Sequence, residues 1–120
     1  MENRSTIQVN QALPWNRGVQ FALANGYTVS FQFGTGNYCD ERGMNITKDN
    51  APPCACVEMG IYETPQNEED TAWIRITQHD DVTPFVAVDD IPQILVAAQA
   101  SDWDTIRDIY NGTREEQMNA

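Results

Sequence analysis

Bulky apolar residues alternate with small or polar ones from Val19 to Phe33, and the alternation breaks once, at Asn25-Gly26. Val19, Phe21 and Leu23 form the apolar set on the first arm, and Tyr27, Val29, Phe31 and Phe33 on the second. Period two marks strands with one face buried. Asn-Gly between two such runs predicts a hairpin, because Gly enters positive φ freely and Asn tolerates it in a type I′ turn. Val29, Phe31 and Phe33 are expected on the buried face and the Asn25-Gly26 turn in solvent. The same period recurs over Cys54–Tyr62, where Ala55, Val57, Met59 and Ile61 share one face and Cys54, Cys56, Glu58, Gly60 and Tyr62 the other. Ala72–Thr77 predicts a further strand. Ile7 and Val9 suit a short edge strand, and Pro84 argues against a central one over Val82–Val88.

The spacing changes after Asp89. Ile91, Ile94, Leu95 and Ala98 recur at three and four residues, the stripe of an amphipathic helix. Asp89 is its expected N-cap, with Pro92 in the first turn. Ser101 and Asp104 resemble a capping box and predict a second helix over 102–111, with Trp103, Ile106, Ile109 and Tyr110 inward and Gly112 at its end. A single kinked helix is the alternative. Strands first and helices last predict an α+β fold: an antiparallel sheet of four to five strands starting with a hairpin, packed against one or two C-terminal helices. The organisation expected is a lead-in over 1–16, one domain over 17–112, and a loose tail over 113–120.

Length and composition agree with one globular domain. The chain has 120 residues, 41% of them hydrophobic, enough for a real core. It has no apolar run long enough to span a membrane, and its first residues lack the apolar centre of a secretion signal, so a soluble cytoplasmic protein is expected. Charge changes the picture more. Eighteen acidic residues face seven basic ones, giving a net charge of −11. Such a balance opposes direct contact with nucleic acid or anionic lipid. Solubility is one reading of it. The sharper one is a carboxylate array that engages a basic protein groove, as a mimic of nucleic-acid phosphates would.

A long irregular stretch, 34–53, is rich in Gly, Asn and Asp and ends in Pro52-Pro53. Loops of this length are uncommon in compact domains unless they carry function. Gly34-Thr35-Gly36 reads as a strand-ending turn rather than a phosphate cradle, since no helix follows it.

The order of several short features resembles a group of small, acidic, phage-encoded proteins of unknown function. They are Asn25-Gly26-Tyr27 with Val29-Ser30, then Tyr38, Glu58 in a strand, Tyr62 to Pro65, and Asp80-Asp81-Val82 before a terminal helix. The resemblance implies a phage origin and an accessory role inside a host cell. It assigns no catalytic residue.

Candidate chemistry is sparse. Cys39, Cys54, Cys56 and His79 are numerically enough for a Cys₃His zinc site. Cys-X-Cys is not the usual knuckle spacing, and the competing reading is ordinary reduced cysteines, with a Cys39 to Cys54 or Cys56 disulfide under oxidation. No cofactor is otherwise expected. His79-Asp80-Asp81 is a polar turn that also suits a metal-dependent hydrolytic centre. The leading expectation is a non-enzymatic module that binds a host or viral protein with a basic surface, for instance as an inhibitor of a host factor or defence system. Glu58, Glu63, Glu68, Glu69 and Asp70 are the expected contact residues. Trp73 and Arg75 join them, since Trp and Arg are frequent interface anchors. The alternatives are a small-ligand or nucleotide-binding domain with the 34–53 loop as lid, and an enzyme around His79.

Overall fold

A computed structural model of the chain describes residues 4–12, 16–34, 39, 53–64, 72–78 and 80–119. Six strands form one antiparallel sheet: β1 (Thr6–Ala12), β2 (Asn16–Ala22), β3 (Tyr27–Phe33), β4 (Cys56–Glu63), β5 (Trp73–Ile74) and β6 (Val82–Ala87). Two helices follow, α1 (Ile91–Gln99) and α2 (Trp103–Asn119), entered through a 3₁₀ turn at Val88–Asp90. The fold is α+β. The strand order is β1-β2-β3-β4, after which β5 and β6 share the far edge of β4. β6 pairs with Cys56 to Gly60, leaving Ile61 to Glu63 for the β5 segment, of which Trp73 and Ile74 pair with Tyr62 and Ile61. That is why the strand expected over 72–77 is two residues long.

The core lies between one sheet face and the helices. Val29, Phe31, Val57, Met59 and Ile61 from β3 and β4 pack with Ile94, Ala97, Ala98, Ile106 and Tyr110. Register carries this face across the strands, Val19 opposite Phe31 opposite Met59, and Phe21 opposite Val29 opposite Ile61. The helices do not cover β1, whose Ile7 and Val9 continue the same face yet remain about 60% exposed (62% and 61%).

The hairpin turn differs from the expected type I′. Gly26 alone among its residues has positive φ, at 92°. Gly26 N donates to Leu23 O and Leu23 N to Tyr27 O, so the loop is Ala24-Asn25-Gly26 with a glycine bulge. The turn is exposed, as expected, but its Asn25 side chain is engaged. Asn25 Nδ2 donates to Ala98 O at 2.8 Å and to Gln99 O and Ser101 Oγ at 3.2 Å each. It gives Gln99 O a donor at the end of α1 and adds a second to Ala98 O, which Ser101 N also reaches.

Both helix starts also differ from the sequence reading. Asp90, not Asp89, is the residue before α1, and its carboxylate accepts from Thr113 Oγ1 on α2 rather than capping α1. Ser101 does not open α2. It stands at φ 54° and closes α1, with Ser101 N bonded to Ala98 O and Asp102 N to Ala97 O. This is the Schellman arrangement with Ser in the place Gly usually takes. Asp102 is the cap of α2, accepting from Thr105 N and Thr105 Oγ1. These bonds hold its carboxyl below the usual range, the hydroxyl bond contributing most and the amide bond next. α2 continues past Gly112 to Asn119, because Thr113 and Arg114 bind back to Asp90 and the Phe85 ring.

Pro84 is accommodated as its chemistry requires. β6 is an outer strand, and Pro84 and Phe85 together oppose Glu58, with Phe85 at φ 53°. Proline sits at a bulge where no ladder hydrogen bond is lost.

Candidate functional site

The sheet face turned away from the helices is built from the other half of the alternation. Three cross-strand rows run over it. The first is Thr6, Ala22, Thr28, Tyr62 and Trp73, the second Gln8, Gln20, Ser30 and Gly60, and the third Asn10, Gly18, Gln32 and Glu58. The small side chain of Ala22 lowers the face between β1 and β3. Thr6, Gln8, Gln20, Ala22, Thr28, Tyr62 and Thr64 line a cleft of about 420 Å³, and none of them is charged. The third row is bonded within itself, Asn10 Nδ2 to Gln32 Oε1 at 3.0 Å, and to the second, Gln32 Nε2 to Ser30 Oγ at 2.6 Å. Gly18 permits this, since a Cβ there would lie 2.1 Å from Phe31 O and 2.8 Å from the Gln32 amide.

Trp73 belongs to this face. It pairs with Tyr62, the ring centroids 5.0 Å apart. Its ring lies over Gly60, where an added Cβ would sit 3.0 Å from Trp73 Cζ3. Burial raises the Tyr62 hydroxyl above its ordinary pKa. Arg75 leaves the sheet and pairs with Asp81 at 3.0 Å. It borders a second depression of about 560 Å³ with Ile76, Thr77, Gln78, Arg107 and Asn111. Both arginines there hold a carboxylate, Arg107 that of Asp104 at 2.9 Å, so the depression carries little net positive charge.

The acidic surplus sits mainly elsewhere among the described residues. Strands β1 to β4 contain only Arg17, Glu58 and Glu63 as charged residues, and α1 has none. On α2, Asp104, Asp108 and Glu115 follow at four and seven residues, which places them on one stripe of the helix. All three are exposed, as is Glu116. The basic residues of α2 turn back to the protein. Arg107 Nη2 donates to Arg75 O, and the Arg114 guanidinium lies 5.9 Å from the Phe85 ring centre.

The expected contact residues therefore do not form one patch. Glu58 and Trp73 lie on the open sheet face. Glu63, opposite Tyr27, alternates to the other face, and Arg75 stands at the second depression. Glu68, Glu69 and Asp70 lie outside the described residues, as do His79 and most of the 34–53 loop. Cys39 is buried at the end of β3, its Sγ accepting from Gly34 N at 3.3 Å. Cys54 and Cys56 are half-buried, and no disulfide joins any two of the three cysteines. Among the described residues no group of three or more side chains is disposed to hold a metal ion. No described helix is long and apolar enough to cross a membrane.

No family model, curated protein or solved structure matches the chain.

Two features escaped the sequence reading. The neutral cleft is made of residues that the alternation had already put on the polar side, but their adjacency depends on the register of four strands. The α2 stripe was open to view at positions 104, 108 and 115. It was hidden by the expectation that the helix stops before Gly112.

Proposed function

We propose that this protein is a binding module whose acidic α2 face engages a protein with a basic surface. The supporting observation is the outward stripe of Asp104, Asp108 and Glu115, with Glu116 beside it, in which Arg107 pairs only with Asp104 and Arg114 lies over the Phe85 ring. The stripe extends about 16 Å at the rise of an α-helix. It carries a cost to the fold. Like charges four residues apart repel, and carboxylates in the C-terminal half of a helix oppose its dipole. The last turn of α2 has no basic residue to offset them. Arg107 offsets Asp104 at 2.9 Å, but among the described residues Asp108, Glu115 and Glu116 have no ion pair, and local conflicts of this kind are expected at functional surfaces. Opposite charge on a partner would speed encounter and make the complex sensitive to salt. The accessory role implied by the resemblance to phage-encoded proteins fits a module that acts by occupying a host protein.

The test is capture from a bacterial lysate by the wild type and by an Asp108→Asn, Glu115→Gln, Glu116→Gln variant. Proteins retained by the wild type at low salt should be lost with the variant and released by added salt. Equal capture by both would remove α2 from the interface.

A further inference from the structure

The cleft on the open sheet face is a different surface, separated from α2 by the sheet and core. We propose that it binds a neutral, hydroxyl-rich ligand, a short uncharged oligosaccharide.

The lining selects that chemistry. An amide offers a donor and an acceptor side by side, and a sugar hydroxyl is both donor and acceptor. Among the described residues, the side chains of Gln8 and Gln20 make no hydrogen bond within the protein, so both stand ready for a ligand. The Thr28 hydroxyl, in the row of Tyr62, is buried and bonded at 2.9 Å to the exposed Thr64 hydroxyl at the edge of the cleft. With no charged group in the lining, an ionic ligand would be desolvated there without a counter-charge, at a heavy cost. Ala22 supplies an apolar floor. Tyr62 forms one wall, backed by Trp73, and aromatic faces pack well against the C–H faces of a pyranose.

Shape agrees. Small-ligand sites run from about 300 to 1,000 Å³, and this cleft has about 420 Å³. It crosses β1 to β4, about 14 Å at ordinary strand spacing, which accommodates more than one sugar ring. The border of the site is held in place. The Asn10–Gln32–Ser30 chain fixes the neighbouring row, and the Trp73 ring is held over Gly60.

The experiment is titration of the ¹⁵N-labelled full chain with neutral di- and trisaccharides built on glucose, galactose, mannose and N-acetylglucosamine. At least one should shift the side-chain amide signals of Gln8 and Gln20 and the Trp73 indole N–H saturably, and equally at low and high salt. Gln8→Ala, at an exposed position, and Ala22→Val, which fills the floor with a strand-favouring residue, should each weaken binding about tenfold while keeping the wild-type melting temperature within a few degrees. The proposal is overturned if no member of the panel shifts these signals, if an acidic sugar binds better than its neutral counterpart, or if both folded variants bind as the wild type does.

Discussion

Asn25 shows how much one side chain can join. Its Oδ1 accepts from Tyr27 N within the turn at 3.3 Å, and its Nδ2 donates to the end of α1. One amide therefore fixes the hairpin and ties it to a helix 73 positions later in the chain. Asn25→Asp keeps the shape, replaces the donor by an acceptor, and sets a negative charge against helix carbonyls. It should cost about 1–3 kcal/mol in chemical denaturation, and Asn25→Ala about 1 kcal/mol. A smaller loss for Asp than for Ala would refute the capping role. The sequence marked Asn25-Gly26 as a turn, because that preference is local. Its docking onto α1 was illegible, since nothing near Asn25 encodes the helix end. Tyr110 is a second case. Its hydroxyl donates to Pro84 O at 2.8 Å, and burial raises its pKa, partly offset by Arg114. An unfolded tyrosine ionises near pH 10, so the folded state resists ionisation longer. The associated stability is complete below about pH 10 and lost as pH rises through the raised folded value. Tyr110→Phe should lower neutral-pH stability by about 1 kcal/mol and flatten the alkaline fall of the melting temperature. An unchanged alkaline slope would count against the assignment.

The elements divide by how local their causes are. The strands of the β2–β3 hairpin and the apolar face of β4 followed from period two, and α1 from its three-and-four spacing, because burial of one face demands those patterns. Lengths did not follow. β5 is short because β6 occupies most of the edge it needed, and α2 is long because Asp90 and Phe85 hold its later turns. Both are tertiary effects. The sheet itself is unevenly covered. Phe31 is buried under the helices at 1% exposure, whereas Val9, on the same face, is 61% exposed. Phe31→Ala should cost about 3–5 kcal/mol and Val9→Thr within about 0.5 kcal/mol. Equal losses in urea melts would mean that β1 is packed more tightly than its exposure indicates.

At the scale of the molecule, charge is segregated. Strands β1 to β4 present a face of amides and hydroxyls with Glu58 at its border, and α2 presents carboxylates. The composition announced the surplus of acid, but only the helix phase places Asp104, Asp108 and Glu115 together. This arrangement makes a paired prediction. The Asp108→Asn, Glu115→Gln, Glu116→Gln variant should melt slightly above the wild type at low salt, because repulsion and the unfavourable dipole terms are relieved, while it loses partner capture. A surface serving only solubility would give the first effect without the second. The most direct measurement is carboxyl-selective chemical labelling of the chain, free and in complex with whatever protein it captures. Labelling at Asp104, Asp108, Glu115 and Glu116 should fall in the complex while exposed Glu63 labels as before. Unchanged labelling of the α2 carboxylates in a complex that protects other sites would contradict the account.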